Sequence, residues 1–369
     1  MRVINKYLLF IFLASFLPLK SEASVINAIL NGTVTSLSVI PYQVKLTILR
    51  TSGSETESVL CGGSIIDDSL ILTAAHCVED DGGYTTSSIT VRYLDYTDSS
   101  SPTITSASVS SFTINPSWTG SVTNSSDIAV LYSANTFANA KKIKIASTSE
   151  ISTMLSQFLN SYAEGQDNEE NVQASGYGID ENDSYDVLKR VLLTGIPSAT
   201  CNSLKSSSDT GDDVICVQSP SQTTDYGFCS GDSGGPLVWQ NPSNSSDSDY
   251  GVRLIGVASY VTAENGNCRL NGTGYFGAYT NINYYKSFVN SAASSLTSIS
   301  GYDYENLSIS YSFDSNPILA SNSTSSSVTT SSSGGGTTTI PIILSLFSLL
   351  MWRSYKLYFR TFRITSKAK

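Results

Sequence analysis

From Ile29 to about Leu296 the chain repeats one pattern. Short apolar runs, such as Tyr42 to Leu49, Ile89 to Leu94, Ile128 to Tyr132 and Leu254 to Val261, are separated by clusters of Ser, Gly, Asn and Asp. Apolar runs of this length bounded by turn formers read as an all-β barrel or sandwich. The exception is Ile282 to Leu296, where Tyr285, Phe288, Val289 and Ala292 fall near helical spacing. A closing amphipathic helix is predicted there, and little helix elsewhere.

Outside this region the composition changes. Residues 1–23 carry a charged start at Arg2 and Lys6, an apolar run from Tyr7 to Leu17 and a small-residue end at Ser21-Glu22-Ala23. That is the layout of a secretory signal peptide, with cleavage after Ala23. An uncleaved anchor is the alternative, although the run is short for a span. Residues 297–339 are rich in Ser, Thr, Asn and Gly and read as an unfolded stalk. Residues 340–352 are almost wholly apolar, and residues 353–369 form a basic tail containing Arg353, Lys356, Arg360, Arg363, Lys367 and Lys369. The asymmetry suits a single-pass anchor with a cytoplasmic tail. Thirteen residues at about 1.5 Å each reach only about 20 Å, short of a hydrocarbon core of about 30 Å. A glycolipid-anchor signal and a soluble product therefore stay open beside the membrane attachment expected here.

Six cysteines in an exported chain imply three disulfides and no reactive thiol. Seven N-x-S/T triplets, at Asn31, Asn124, Asn182, Asn244, Asn271, Asn306 and Asn322, are glycosylation candidates on the same route. The formal net charge of −10 and the lack of a basic stripe in the central region exclude a nucleic-acid partner. No metal site is indicated; the acids at Asp80 and Asp81 read as turn chemistry rather than a calcium loop. No cofactor and no oligomer are expected.

The chemistry concentrates in three short segments. Ser233 lies in Gly231-Asp232-Ser233-Gly234-Gly235-Pro236, a tight turn whose glycines let backbone N–H groups approach a substrate carbonyl. A serine hydroxyl needs a base, and His76, in Leu72-Thr73-Ala74-Ala75-His76-Cys77, is the only histidine in the chain. The base needs a carboxylate to fix its tautomer, and Asp127 opens the apolar run Ile128-Ala129-Val130-Leu131. Taken singly, His76 reads as a structural histidine and Asp127 as a strand-start turn residue. Together they form a candidate catalytic set.

With these motifs T-A-A-H-C, D-I-A-V-L and G-D-S-G-G-P in that order, the sequence resembles the chymotrypsin and trypsin family of serine proteases over residues 29–296. The resemblance implies two six-stranded antiparallel β-barrels followed by a C-terminal helix, and a serine endopeptidase acting on protein or peptide substrates through an acyl-enzyme. It implies the pairings Cys61–Cys77, Cys201–Cys216 and Cys229–Cys268, and an oxyanion hole from the N–H groups of Gly231 and Ser233. It also implies a mature N-terminus at Ile29, whose α-amino group would pair with Asp232. Ala28 precedes Ile29 where digestive members have Arg or Lys. Residues 24–28 are thus expected to be a short pro-segment removed by a non-tryptic activating peptidase, or to leave with the signal.

For the primary pocket the resemblance indicates Gly227, Phe228, Ser259, Tyr260, Val261 and Gly277. Gly227 stands at the floor position that holds an aspartate in members cutting after Arg or Lys. Without a buried negative charge the desolvation of a cationic side chain is not compensated, so a small or medium apolar residue is expected before the scissile bond. Asp225 is the one nearby acid that an unusual loop could bring in. Two rivals differ in class. A catalytically silent adhesion or binding protein on the same scaffold keeps the fold without turnover. An esterase is suggested by the literal G-x-S-x-G match, but that elbow belongs to a strand-to-helix turn in an α/β chain.

Overall fold

The computed structural model describes residues 29–124, 126–178, 187–205, 211–262, 268–272 and 274–320. An N-terminal arm carries β1 (Thr33–Val34). The first sheet is built from β2 (Gln43–Ser52), β3 (Glu55–Ile65), β4 (Leu70–Thr73), β5 (Thr85–Asp95), β6 (Thr103–Ser108), β7 (Ser111–Ile114) and β8 (Ala129–Tyr132). The second contains β9 (Lys144–Ile145), β10 (Val172–Gly176), β11 (Lys189–Gly195), β12 (Val214–Gln218), β13 (Pro236–Gln240), β14 (Val252–Thr262) and β15 (Phe276–Asn281), with β1 added at one edge.

Alternation makes these strands. In β2, Val44, Leu46 and Ile48 are buried while Thr47 and Leu49 face out; in β5, Ile89, Val91 and Tyr93 point inward. A period of two lays the apolar side chains on one face, which the sheet closes over. The first sheet runs β6-β5-β2-β3-β4-β8-β7, and its two end strands are joined through Val109 and Ser110 alone. It therefore curls into a barrel in which β6 and β7 act as one interrupted strand. The second runs β11-β10-β13-β14-β15-β12 and closes through a β11–β12 pairing, with the two-residue strands β1 and β9 as additions. The expected pair of six-stranded barrels is thus present, expanded by these short pieces to 7 and 8 strands.

The closing helix spans Lys286–Thr297, beginning four residues later than the apolar pattern because Ile282 to Tyr285 form a turn. Among the described residues three α-helices precede it: α1 (Ala75–Val78), α2 (Thr148–Ser161) and α3 (Ser198–Leu204); the closing helix is α4. Helix elsewhere is sparse, as expected; α2 is the longest piece and was not singled out by the sequence pattern. Ser147 accepts the Glu150 N–H, and Glu150 reaches back to the Ser147 N–H at 2.9 Å, a reciprocal cap that starts the helix. Ile151, Met154 and Phe158 then fall on one buried face. Arg253, buried in β14, ties this helix to the barrel through Glu150 and Asp249, each at 2.7 Å.

All three expected disulfides are present, and no cysteine is free. The stalk expected from residue 297 differs from the structure over residues 298–320, which form a strap across both barrels. Its Tyr302, Tyr304 and Phe313 are buried, Phe313 packs on Tyr42 at 5.5 Å, and the Pro317 carbonyl accepts from Gln173 and Arg190. Three spaced aromatics supply the apolar area that the Ser-rich composition conceals. Residues 1–28 and 321–369, with the signal, pro-segment, anchor and tail expected on them, lie outside the described residues, as do Asn182 and Asn322. Among the described residues no helix is long and apolar enough to cross a membrane.

Candidate active site

α1 follows β4 after the single residue Ala74 and carries His76 at its second position. The buried Arg50 guanidinium donates to the His76 carbonyl at 2.9 Å, and the Cys61–Cys77 bridge fixes the next residue to β3. Asp127 lies two residues before the start of β8 and is fully buried. Its Oδ2 is 2.8 Å from His76 Nδ1 and accepts from Ser259 Oγ at 2.6 Å, while Oδ1 accepts the His76 N–H at 3.0 Å. Thr280 Oγ1 donates to the Asp127 carbonyl at 2.8 Å. Burial alone would push this carboxyl up, but the imidazole charge and the hydrogen bonds from His76 and Ser259 outweigh it and hold Asp127 below the ordinary carboxylate value.

Ser259 reaches Asp127 because β14 bulges between Ala258 and Tyr260, which turns this one side chain away from the ladder. The sequence reading placed Ser259 on the substrate wall and missed its contact with Asp127, as it missed Thr280.

Ser233 is brought to the same barrel junction by its neighbours. Its carbonyl accepts the Gly62 N–H at 2.7 Å, and a Cβ on Gly234 would lie 2.2 Å from Thr73 Oγ1 and 2.6 Å from the Gly62 carbonyl. Only glycine, here at φ +74°, lets the turn press against the segment leading into His76. Gly231, at φ +91°, is equally required, since a Cβ there would meet Gly178 Cα at 2.7 Å. Among the described residues, neither the Gly231 nor the Ser233 N–H is taken up by a hydrogen bond. No hydrogen bond joins Ser233 Oγ to His76 Nε2, whose recorded contact is Cys77 Sγ at 3.8 Å. Such bonds are often long before substrate binds. Cys61, His76 and Cys77 are a trio of metal-ligand types, but both sulfurs are spent in a disulfide.

Asp232 is also buried. Its Oδ2 accepts the Ile29 and Cys229 N–H groups at 3.0 Å each, and its Oδ1 accepts the Gly178 N–H at 2.9 Å. Burial raises its carboxyl to about 6 against the downward pull of those donors. The pairing of Ile29 with Asp232 read from the sequence is therefore present as a contact.

Beside Ser233 lies a cavity of about 180 Å³ lined by Phe228, Cys229, Ser230, Ser259, Tyr260, Val261 and Cys268. Gly227 and Gly277, expected at its floor and wall, do not line it. The Gly227 carbonyl accepts the Leu30 N–H at 2.8 Å and its Cα faces the Cys268 carbonyl. Gly277 is covered by the Phe228 ring, which a Cβ would meet at 2.3 Å and which packs on Tyr279 at 4.5 Å. Asp225 does not reach the cavity; its carboxylate is 3.5 Å from Arg269 Nε. The acids near Asp80 are engaged within the protein: Asp80 accepts the Thr86 N–H at 2.8 Å, and Glu79 accepts from the distant Trp118 Nε1 at 2.6 Å.

Two closed antiparallel barrels, with a half-buried His76 paired to a buried Asp127 at their junction, define the architecture of chymotrypsin-like serine proteases. The comparisons agree: the Trypsin family model matches residues 29–289, and the chain belongs to that family. It is similar to ovochymase of Halocynthia roretzi, 29% identical over 279 residues, covering 73% of this chain and 15% of that protein. It is also similar to fibrinolytic enzyme isozyme C of Lumbricus rubellus, 29% identical over 268 residues, covering 71% of this chain and 98% of the relative. Trypsin delta of Drosophila erecta is 30% identical over 238 residues, covering 63% and 78%. The chain thus spans only a small part of ovochymase but nearly all of the second relative.

Proposed function

We propose that this chain is a secreted serine endopeptidase in which Ser233 is the nucleophile, His76 the general base and Asp127 the acid that orients it. The observation that carries the reading is the 2.8 Å contact between His76 Nδ1 and a buried, hydrogen-bonded Asp127 in a chain with a single imidazole. With Nδ1 committed, Nε2 is left for the Ser233 proton. The unengaged Gly231 and Ser233 N–H groups suit the oxyanion of a tetrahedral intermediate, each worth about 3 to 4 kcal/mol at the transition state. His76 then hands the proton to the leaving amine, and water releases the acyl group by the same path.

Cleavage before Ile29 turns its amide into an ammonium 3.0 Å from Asp232, an ion pair in place of a neutral hydrogen bond. Residues 1–23 act as a signal peptide and residues 24–28 leave with it or after it. Asn31 and Asn306 are exposed, and Asn244 and Asn271 half-exposed, which suits glycan attachment. The primary pocket takes a small or medium apolar side chain, because the Phe228 ring fills the space above Gly277 and, among the described residues, no carboxylate lines it.

The test is the secreted protein profiled on a peptide library, with Ser233→Ala beside it. Turnover with small apolar residues before the cut is expected, with a loss of several orders of magnitude in kcat and of all fluorophosphonate labelling in the variant. A correctly processed chain that neither cleaves peptides nor takes the label would be a binding protein on this scaffold. A strong preference for Arg would show the pocket to be misread.

A further inference from the structure

Asp127 is held through its side chain by His76 and Ser259, but its backbone also has to be put in place. Ser126, the residue before it, is buried and sits at φ +63°, a left-handed conformation that serine adopts only when its surroundings impose it. The Ile128 N–H donates to the Ser126 carbonyl at 2.9 Å, so Asp127 is the middle residue of a three-residue turn. The Ser126 N–H then points away from β8 and finds one acceptor, Tyr285 Oη at 2.9 Å; Ser126 Oγ lies 3.3 Å from the same oxygen.

Tyr285 is itself clamped from both sides. Asn283 Nδ2 donates to Tyr304 Oη at 3.4 Å and to Thr148 Oγ1 at 3.1 Å. Lys286 lies 2.8 Å from Glu305, 3.7 Å from Asp303 and 5.6 Å from the Tyr304 ring centre. Glu305 also accepts from the Thr148 N–H at 2.9 Å. The partners at 303–305 belong to the strap, beyond the 29–289 stretch that matches the family.

We infer that Tyr285 is a positioning residue for Asp127, acting through the Ser126 N–H, and that the strap holds Tyr285 in place to do so. The catalytic part of this inference rests on the reading of His76 and Asp127 given above. Its geometric part does not: removing the phenol oxygen leaves a buried N–H without a partner, and the turn carrying Asp127 relaxes away from His76.

The experiment uses the full chain labelled at histidine, with and without Tyr285→Phe, which keeps the ring and removes the acceptor. With one histidine in the chain, a single imidazole Nδ1–H signal is expected, placed far downfield by its bond to Asp127 Oδ2. That signal is expected to move upfield and broaden in the variant, with kcat roughly tenfold lower and KM within about twofold. Glu305→Gln, which loosens the clamp without touching the turn, is expected to shift it the same way by less, and it carries the test if Tyr285→Phe fails to fold. An unchanged signal in the folded variant overturns the inference, whatever the activity. Absence of Ser233-dependent turnover in the unaltered chain would instead sink the peptidase reading and leave the signal test standing.

Discussion

Asp127 and Asp232 are two fully buried carboxylates at the same barrel junction, and the fold treats them oppositely. Asp127 faces an imidazole and a hydroxyl and is held below the usual carboxylate range; Asp232 faces amide N–H groups, with the Lys189 charge only partly offsetting its burial, and is pushed up to about 6. Desolvation costs both, so the difference lies in compensation. Hydrogen bonds from neutral donors do not fully replace water around a buried charge, whereas a cation beside it does. The first site is electrostatically complete as it stands. The second is completed only by a positive charge in direct contact, which a free amino group at Ile29 would supply in the reading proposed above.

The largest effect that would sharpen this contrast is Asp127→Asn. An amide cannot fix the imidazole as the carboxylate does, so kcat is expected to fall by about 10⁴ with little change in Tm. A fall below tenfold would mean that the electrostatic distinction between the two sites has no catalytic meaning.

Next comes pH. For Asp232 the folded value of about 6 lies above the unfolded value of about 4, so its contribution is fully present below about pH 4 and lost as pH rises through about 6. An ammonium at Ile29 pulls the carboxyl back down and restores that contribution. Protein cut before Ile29 is therefore expected to gain ~3 kcal/mol over uncut protein between pH 4 and pH 7, read from paired melting curves. Parallel curves would break the comparison.

The smallest expected effect is that of Ser259→Ala. It removes one of three hydrogen bonds to the Asp127 carboxylate, and roughly a tenfold loss in kcat/KM follows from a single bond to a charged group. Steady-state kinetics with a small apolar substrate measures it, and a larger loss would mean that the bulge at Ser259 organises more of the site than this one contact.

Much of this was legible in the residues. His76, Asp127 and Ser233 stood out because their motifs combine a scarce residue type with glycine or apolar runs that force local geometry. The barrels followed from period-two alternation in segments such as Val44 to Ile48. What was missed had weaker or masked signals. The α2 cap, Ser147 with Glu150 ahead of Ile151, Met154 and Phe158, was readable but lost among serines. The strap was hidden because Tyr302, Tyr304 and Phe313 are single aromatics in polar sequence, with no period to betray a buried face. The second duty of Ser259 and the roles of Thr280 and Tyr285 depend on a bulge and a turn that bring distant residues together, and no local pattern encodes such encounters.

The Phe228 ring occupies space that the backbone leaves vacant above Gly277. In the reading proposed above, selectivity rests on this one side chain rather than on the course of the main chain. On that reading a smaller side chain at Phe228 deepens the recess without rebuilding any loop, and the residues behind it keep their places.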